Sequence, residues 1–129
     1  MPKPIKIALA VLAGFVVWFV VATLANLLVR AALPGYAEAE PTARFTLAML
    51  LARLAVGGLS SVGAGLACGM SMRASPIAVD ILAAALVLLF LPVHYSLWAP
   101  FPLWYHAAFL VSLAPLVLAG GRIARRRLA

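Results

Sequence analysis

Carboxylates are scarce in this sequence: Glu38, Glu40 and Asp80 are the only three among 129 residues. Two loop glutamates and one isolated aspartate cannot supply paired-carboxylate acid–base chemistry or an acid-lined path through a membrane. Cysteine is scarcer still. Cys68 stands alone, which excludes an internal disulfide and a CxxC redox pair. Its neighbours are glycines in an apolar stretch, where a thiol acts as a small filler. Gly58-Leu59-Ser60-Ser61-Val62 lacks the second glycine of the G-x-S-x-G nucleophile motif. No strand is expected, and so no glycine loop after a strand is available to cradle phosphate. These gaps lean against an enzyme.

Apolar residues fill the space. They make up 67% of the chain against 10% charged, and mean hydropathy is +1.15. Soluble domains run nearer half apolar and a quarter charged. Three stretches carry no formal charge, Ile7–Val29, Leu54–Met72 and Ile81–Gly121, of 23, 19 and 41 residues. A helix needs roughly 20 apolar residues to cross a hydrocarbon core about 30 Å thick. The first two stretches suffice for one crossing each, and the third has room for two. The expected fold is therefore an all-α, polytopic, single-domain membrane protein with spans at about 7–28, 46–72, 77–94 and 104–120. Lys3 and Lys6 resemble the basic start of a signal peptide, and Thr23-Leu24-Ala25 resembles a cleavage site. The apolar run exceeds the roughly 7–15 residues of such peptides, which favours an anchor.

The net charge of +7 is placed for topology and not for nucleic acid. Lys3, Lys6, Arg73, Arg122, Arg125, Arg126 and Arg127 fall on one side of the four spans. Arg30 and Arg44 fall on the other, against Glu38 and Glu40. By the positive-inside rule both termini are cytoplasmic. Arg122, Arg125, Arg126 and Arg127 also form a candidate contact with anionic lipid.

Pro34-Gly35 signals a turn after span one. Glu40-Pro41 looks like the start of a helix running to Met72, about 48 Å long at 1.5 Å per residue. Within it Gly57, Ser61, Gly65 and Gly69 recur every four residues, and Gly65–Gly69 is a GxxxG. Small residues on one helix face let another backbone approach closely. The partner is either a helix of this chain or a second copy. Arg53 continues that series outward. Either it snorkels to the interface, or it lies about 12 Å deep and needs polar partners.

Residues 94–106, HYSLWAPFPLWYH, hold two histidines, two prolines and five aromatics. Pro100 and Pro102 let the chain reverse. Tyr95, Trp98, Trp104 and Tyr105 suit the interfacial aromatic belt. With Thr23 and Asn26 at the outer end of span one, His94 and His106 reach the level of Arg53. Together these five residues form a candidate ligand-binding cluster facing outward. The histidines admit three readings: bonds to loop backbone, a polar pocket for an anionic or amphiphilic ligand, or axial ligands to haem. No Cys, Asp or Glu is placed to complete another metal site, so no metal and no cofactor other than haem is entertained.

Four short spans resemble the small multidrug resistance transporters and the small fluoride channels. The first family uses a glutamate in span one, where this chain has none; the second typically inserts both ways, whereas this charge pattern favours one. The phrases PGYAEAEPTARFTLAMLLARL and FPLWYHAAFL resemble uncharacterised bacterial inner-membrane proteins of this size. That resemblance implies a bacterial inner membrane and brings no activity. Three roles are expected in turn: a non-enzymatic accessory or structural subunit that assembles with itself or a larger membrane complex through the span-two ladder; a small carrier or ligand-binding protein using the cluster around Arg53; and a haem-binding redox protein.

Overall fold

The fold was analysed in a computed structural model that describes residues 1–71 and 76–128. Four long helices dominate: α1 (Lys3–Ala32), α3 (Leu47–Met70), α4 (Pro76–Ser96) and α5 (Leu103–Leu128). A one-turn helix, α2 (Tyr36–Ala39), and a single 3-10 turn (Glu40–Thr42) fill the link between α1 and α3. No strand occurs among the described residues. All four long helices have the length and apolarity needed to cross a membrane.

The ends of the helices follow from local chemistry. Val29 O accepts the last amide of α1, from Leu33, before Pro34 blocks continuation. Gly35 takes φ 81°, where a side chain would be strained, and redirects the chain into α2. The expected start of the second long helix is corrected. Pro41 opens only the 3-10 turn, because Ala43 at φ 53° ends it in the left-handed region. α3 begins instead at Leu47, where Thr46 accepts the Met49 amide through its hydroxyl at 3.3 Å. The helix is thus 24 residues, or about 36 Å. Met72 and Arg73 lie outside the described residues, and Asp80 is exposed. Pro92 and Pro115 are both accommodated inside α4 and α5.

The helices surround a common core in the order α1, α3, α5, α4, with α3 and α4 meeting lightly across the middle. α3 and α5 run parallel, and the side chains between them decide their separation. Toward the terminal end of the bundle both faces are small. A Cβ built on Gly65 would collide with the Val117 carbonyl, and one on Gly120 with the Val62 carbonyl. Here backbone touches backbone. Gly69 meets Ala124, and Gly121 receives Val79 from α4. Further along, the Phe109 ring sits over Gly57, and beyond it Tyr105 reaches Arg53. Large rings replace glycines, and the two helices are held apart. The core beside the tight contact is closed by Leu82, Leu86, Leu113, Val117 and Cys68, all buried. Cys68 is the small filler expected.

Trp18 ties α1 to this seam. Its indole N–H donates to Ser61 Oγ at 3.1 Å, and Ser61 in turn donates to the Gly57 carbonyl at 2.7 Å. Every polar atom in that chain is used, which a dry interior demands.

Candidate functional site

The parting of the helices leaves a cavity of about 310 Å³ at the end of the bundle remote from the termini. α1 lines it with Trp18, Ala22, Thr23 and Asn26, and α3 with Arg53, Val56 and Gly57. α4 contributes Phe90, Val93 and His94; the link to α5 adds Leu97 and Phe101, and α5 adds Tyr105 and Phe109. On each helix the polar residue lies nearer the loop end and the apolar one deeper. Asn26 and Thr23 stand above Trp18, Arg53 above Val56, His94 above Phe90, and Tyr105 above Phe109. The cavity is therefore polar at its loop end and aromatic at its floor.

Among the described residues Arg53 is the only formal charge on that wall. Its Nε donates to Tyr105 Oη at 3.2 Å and its Nη1 to Tyr36 Oη at 3.0 Å. The guanidinium carbon lies 4.8 Å from the centre of the Phe45 ring and 5.4 Å from that of Phe101. Such contacts are worth about 0.5–2 kcal/mol each, depending on desolvation. No carboxylate pairs with it among the described residues; the ion pair they hold joins Arg30 to Glu40 at 2.8 Å. Glu40 reaches the site only through a relay, in which Asn26 donates to Glu40 at 3.5 Å and Tyr36 donates to Asn26 at 3.0 Å. Arg53 is thus positioned by neutral hydroxyls and rings. Its positive charge is left for something else.

A stack of rings closes the loop end. Tyr36, Phe45, Phe101 and Tyr105 lie in sequence at centroid separations of 5.4, 5.7 and 4.9 Å. Tyr36, wholly buried, is held by α2, so the short helix acts as a roof over Arg53. Hydrogen bonds to Tyr36 and Tyr105 hold Arg53 against α2 and α5.

His94 and His106 are both buried, and their Nδ1 atoms lie 2.7 Å apart. His106 Nε2 faces the Trp98 carbonyl at 3.4 Å, and its ring stacks on Trp98 at 4.7 Å. When His106 donates to that carbonyl, its Nδ1 accepts and His94 Nδ1 donates. His94 Nε2 is then an acceptor at the cavity wall with no protein partner among the described residues. A metal held by both Nδ1 atoms at roughly 2 Å would separate them by about 4 Å. With ring centroids 4.9 Å apart, the two imidazoles as placed leave no gap for a haem between them. Among the described residues no three or more His, Cys, Asp and Glu side chains gather to hold a metal ion.

Of the five cluster residues, Thr23, Asn26, Arg53 and His94 line one cavity. His106 stands behind His94 and sets its orientation. Tyr105 is corrected: it is 4% exposed, buried against Arg53 and not an interfacial anchor. The other three candidate anchors, Tyr95, Trp98 and Trp104, are exposed. Gly57, Ser61, Gly65 and Gly69 meet α5 and Trp18 of the same chain, which leaves that face unavailable to a second copy. Arg122, Arg125, Arg126 and Arg127 are exposed on a helical end of α5, gathered with Lys3 and Lys6. Sequence reading missed Tyr36, Trp18, Phe45 and Phe101. A lone Tyr in an acidic loop carries no periodic signal, although an intramembrane arginine short of carboxylates does call for neutral partners.

The fold and site together define a bundle of four helices, each apolar enough to cross a membrane, with a cationic cavity at one end. No family model, no curated protein sequence and no solved structure matches the chain.

Proposed function

We propose that this is a multi-pass membrane protein whose cavity binds a ligand bearing an anionic group, with Arg53 as the charge that recognises it. The observation that carries this reading is a half-buried guanidinium on a cavity wall, held by two tyrosine hydroxyls and two rings and paired with no carboxylate among the described residues. Intramembrane ionisable groups are costly enough that one left without a counter-ion marks a functional site. A volume of about 310 Å³ lies at the small end of the range for ligand pockets. Asn26 and Thr23 add neutral donors, and His94 adds an acceptor.

The gathering of Lys3, Lys6 and the four arginines at one end supports placing that end in the cytoplasm and the cavity at the opposite leaflet. On this reading the membrane is the bacterial inner membrane. The chain either carries its ligand or holds it; binding is the step common to both.

The test is full-length protein in a neutral detergent, its thermal midpoint followed against inorganic phosphate and dodecyl phosphate. At least one of these should raise the midpoint, and Arg53→Gln should remove that rise while the protein still inserts and elutes as a single species. An identical rise in the Arg53→Gln variant would refute the assignment.

A further inference from the structure

Which way the ligand enters is written in the exposure of the lining. Resting on the anion-site reading above, we propose that the cavity takes the head of an anionic amphiphile, an alkyl phosphate in chemical class, sideways from the lipid through the gap between α1 and α4. The loop end is closed by the ring stack from Tyr36 to Tyr105 under α2. The floor is closed by Trp18 against Phe90 at 4.7 Å. The exposed lining residues are Thr23 on α1, Val93 on α4 and Leu97 just after α4, which puts the mouth on the bundle's flank.

That flank would face lipid. α1 touches α4 less extensively than it touches α3, and a second, apolar hollow lined by Ile7, Val11, Phe15 and Ile81 follows the same seam toward the termini. The cavity runs from polar to apolar in the order of an outer-leaflet lipid, head above and chain below. About 310 Å³ has room for roughly ten waters, enough for a head and the first carbons and far too little for a whole lipid. The chain therefore stays in the seam or the bilayer. Arg53 meets the charge, and the unpartnered His94 Nε2 accepts from the hydroxyl of a monoester phosphate.

The experiment is calorimetry of the full chain in phosphatidylcholine nanodiscs, referenced to empty nanodiscs, with dodecyl phosphate and separately inorganic phosphate. Dodecyl phosphate should bind saturably and at least about tenfold tighter than inorganic phosphate. Thr23→Trp and, independently, Val93→Trp should abolish that binding by filling the mouth from either side; both sites are exposed, and the folded state of each variant is confirmed by its elution. Equal affinity for the two probes, or dodecyl phosphate binding unchanged in both mouth variants, overturns lateral entry and leaves the anion site standing. Binding of both probes that is indifferent to Arg53→Gln overturns the site and this inference together.

Discussion

The two ends of the same helix pair, α3 and α5, behave oppositely. Near the termini Gly65, Gly69, Gly120, Gly121 and Ala124 bring the backbones into contact and leave no gap between these two helices. Near the loops Phe109 and Tyr105 occupy the same seam and hold the helices apart around Arg53. Dispersion and interhelical hydrogen bonds replace the hydrophobic effect where both surroundings are apolar. Side-chain size along one seam thus sets where the bundle is solid and where it is hollow. One half provides rigidity, and the other provides room.

The sharpest way to break that contrast is at the tight end. Gly65→Ala drives a methyl into the Val117 backbone, which no rotamer change relieves. It should cost about 3 kcal/mol or more, at or above the usual range for overpacking. Loss of the monodisperse peak on size-exclusion chromatography, or a large drop in thermal midpoint, would register it. A Gly65→Ala variant as stable as wild type would remove the comparison altogether.

Ser61→Ala sits where the two halves meet. It strands the buried Trp18 indole N–H and should cost about 1–3 kcal/mol. Adding Trp18→Phe should recover part of the loss, because the stranded donor goes with it. A double-mutant cycle in thermal midpoints measures the coupling, and strict additivity would deny the hydrogen bond.

At the hollow end, Tyr36→Phe removes a hydroxyl that accepts from Arg53 and donates to Asn26. The expected cost is about 1 kcal/mol, since cavity water can replace part of each bond. Proteolysis in the link between α1 and α3 should quicken as the roof loosens. An unchanged cleavage rate would argue that α2 is held by its rings alone.

The smallest effect should come from Gly58→Ala. A Cβ there meets Leu116 at 3.4 Å, an ordinary contact, and the change should fall within about 0.5 kcal/mol by thermal midpoint. Gly63, whose built Cβ lies 3.6 Å from Val21, should behave likewise. Between them they test whether close approach, and not glycine content, holds the inner half together.

Four long helices could be read from charge-free runs because a helix that crosses lipid must be apolar along its whole length. The i+4 ladder could be read as a packing face for a similar reason, since the helical period aligns such residues whatever lies opposite. The start of α3 was misplaced at Pro41 because proline suits the first turn of either helix type; the Thr46 cap and the backbone of Ala43 decide between them. Level along the bundle was enough to bring Thr23, Asn26, Arg53 and His94 to one height. It was not enough to show which side chains touch.

Sequence alone therefore determined what each segment is: apolar spans, a basic end, a glycine face, an arginine with no nearby acid. Tertiary structure decided what each segment meets. It gave the glycine face to α5, gave Tyr105 and the unremarked Tyr36 to Arg53, and turned His106 toward His94 instead of the cavity. The reason is physical. Periodicity and hydropathy are properties of one helix, whereas partnership depends on the rotation and separation of two, and those are set by side-chain volumes far apart in the chain.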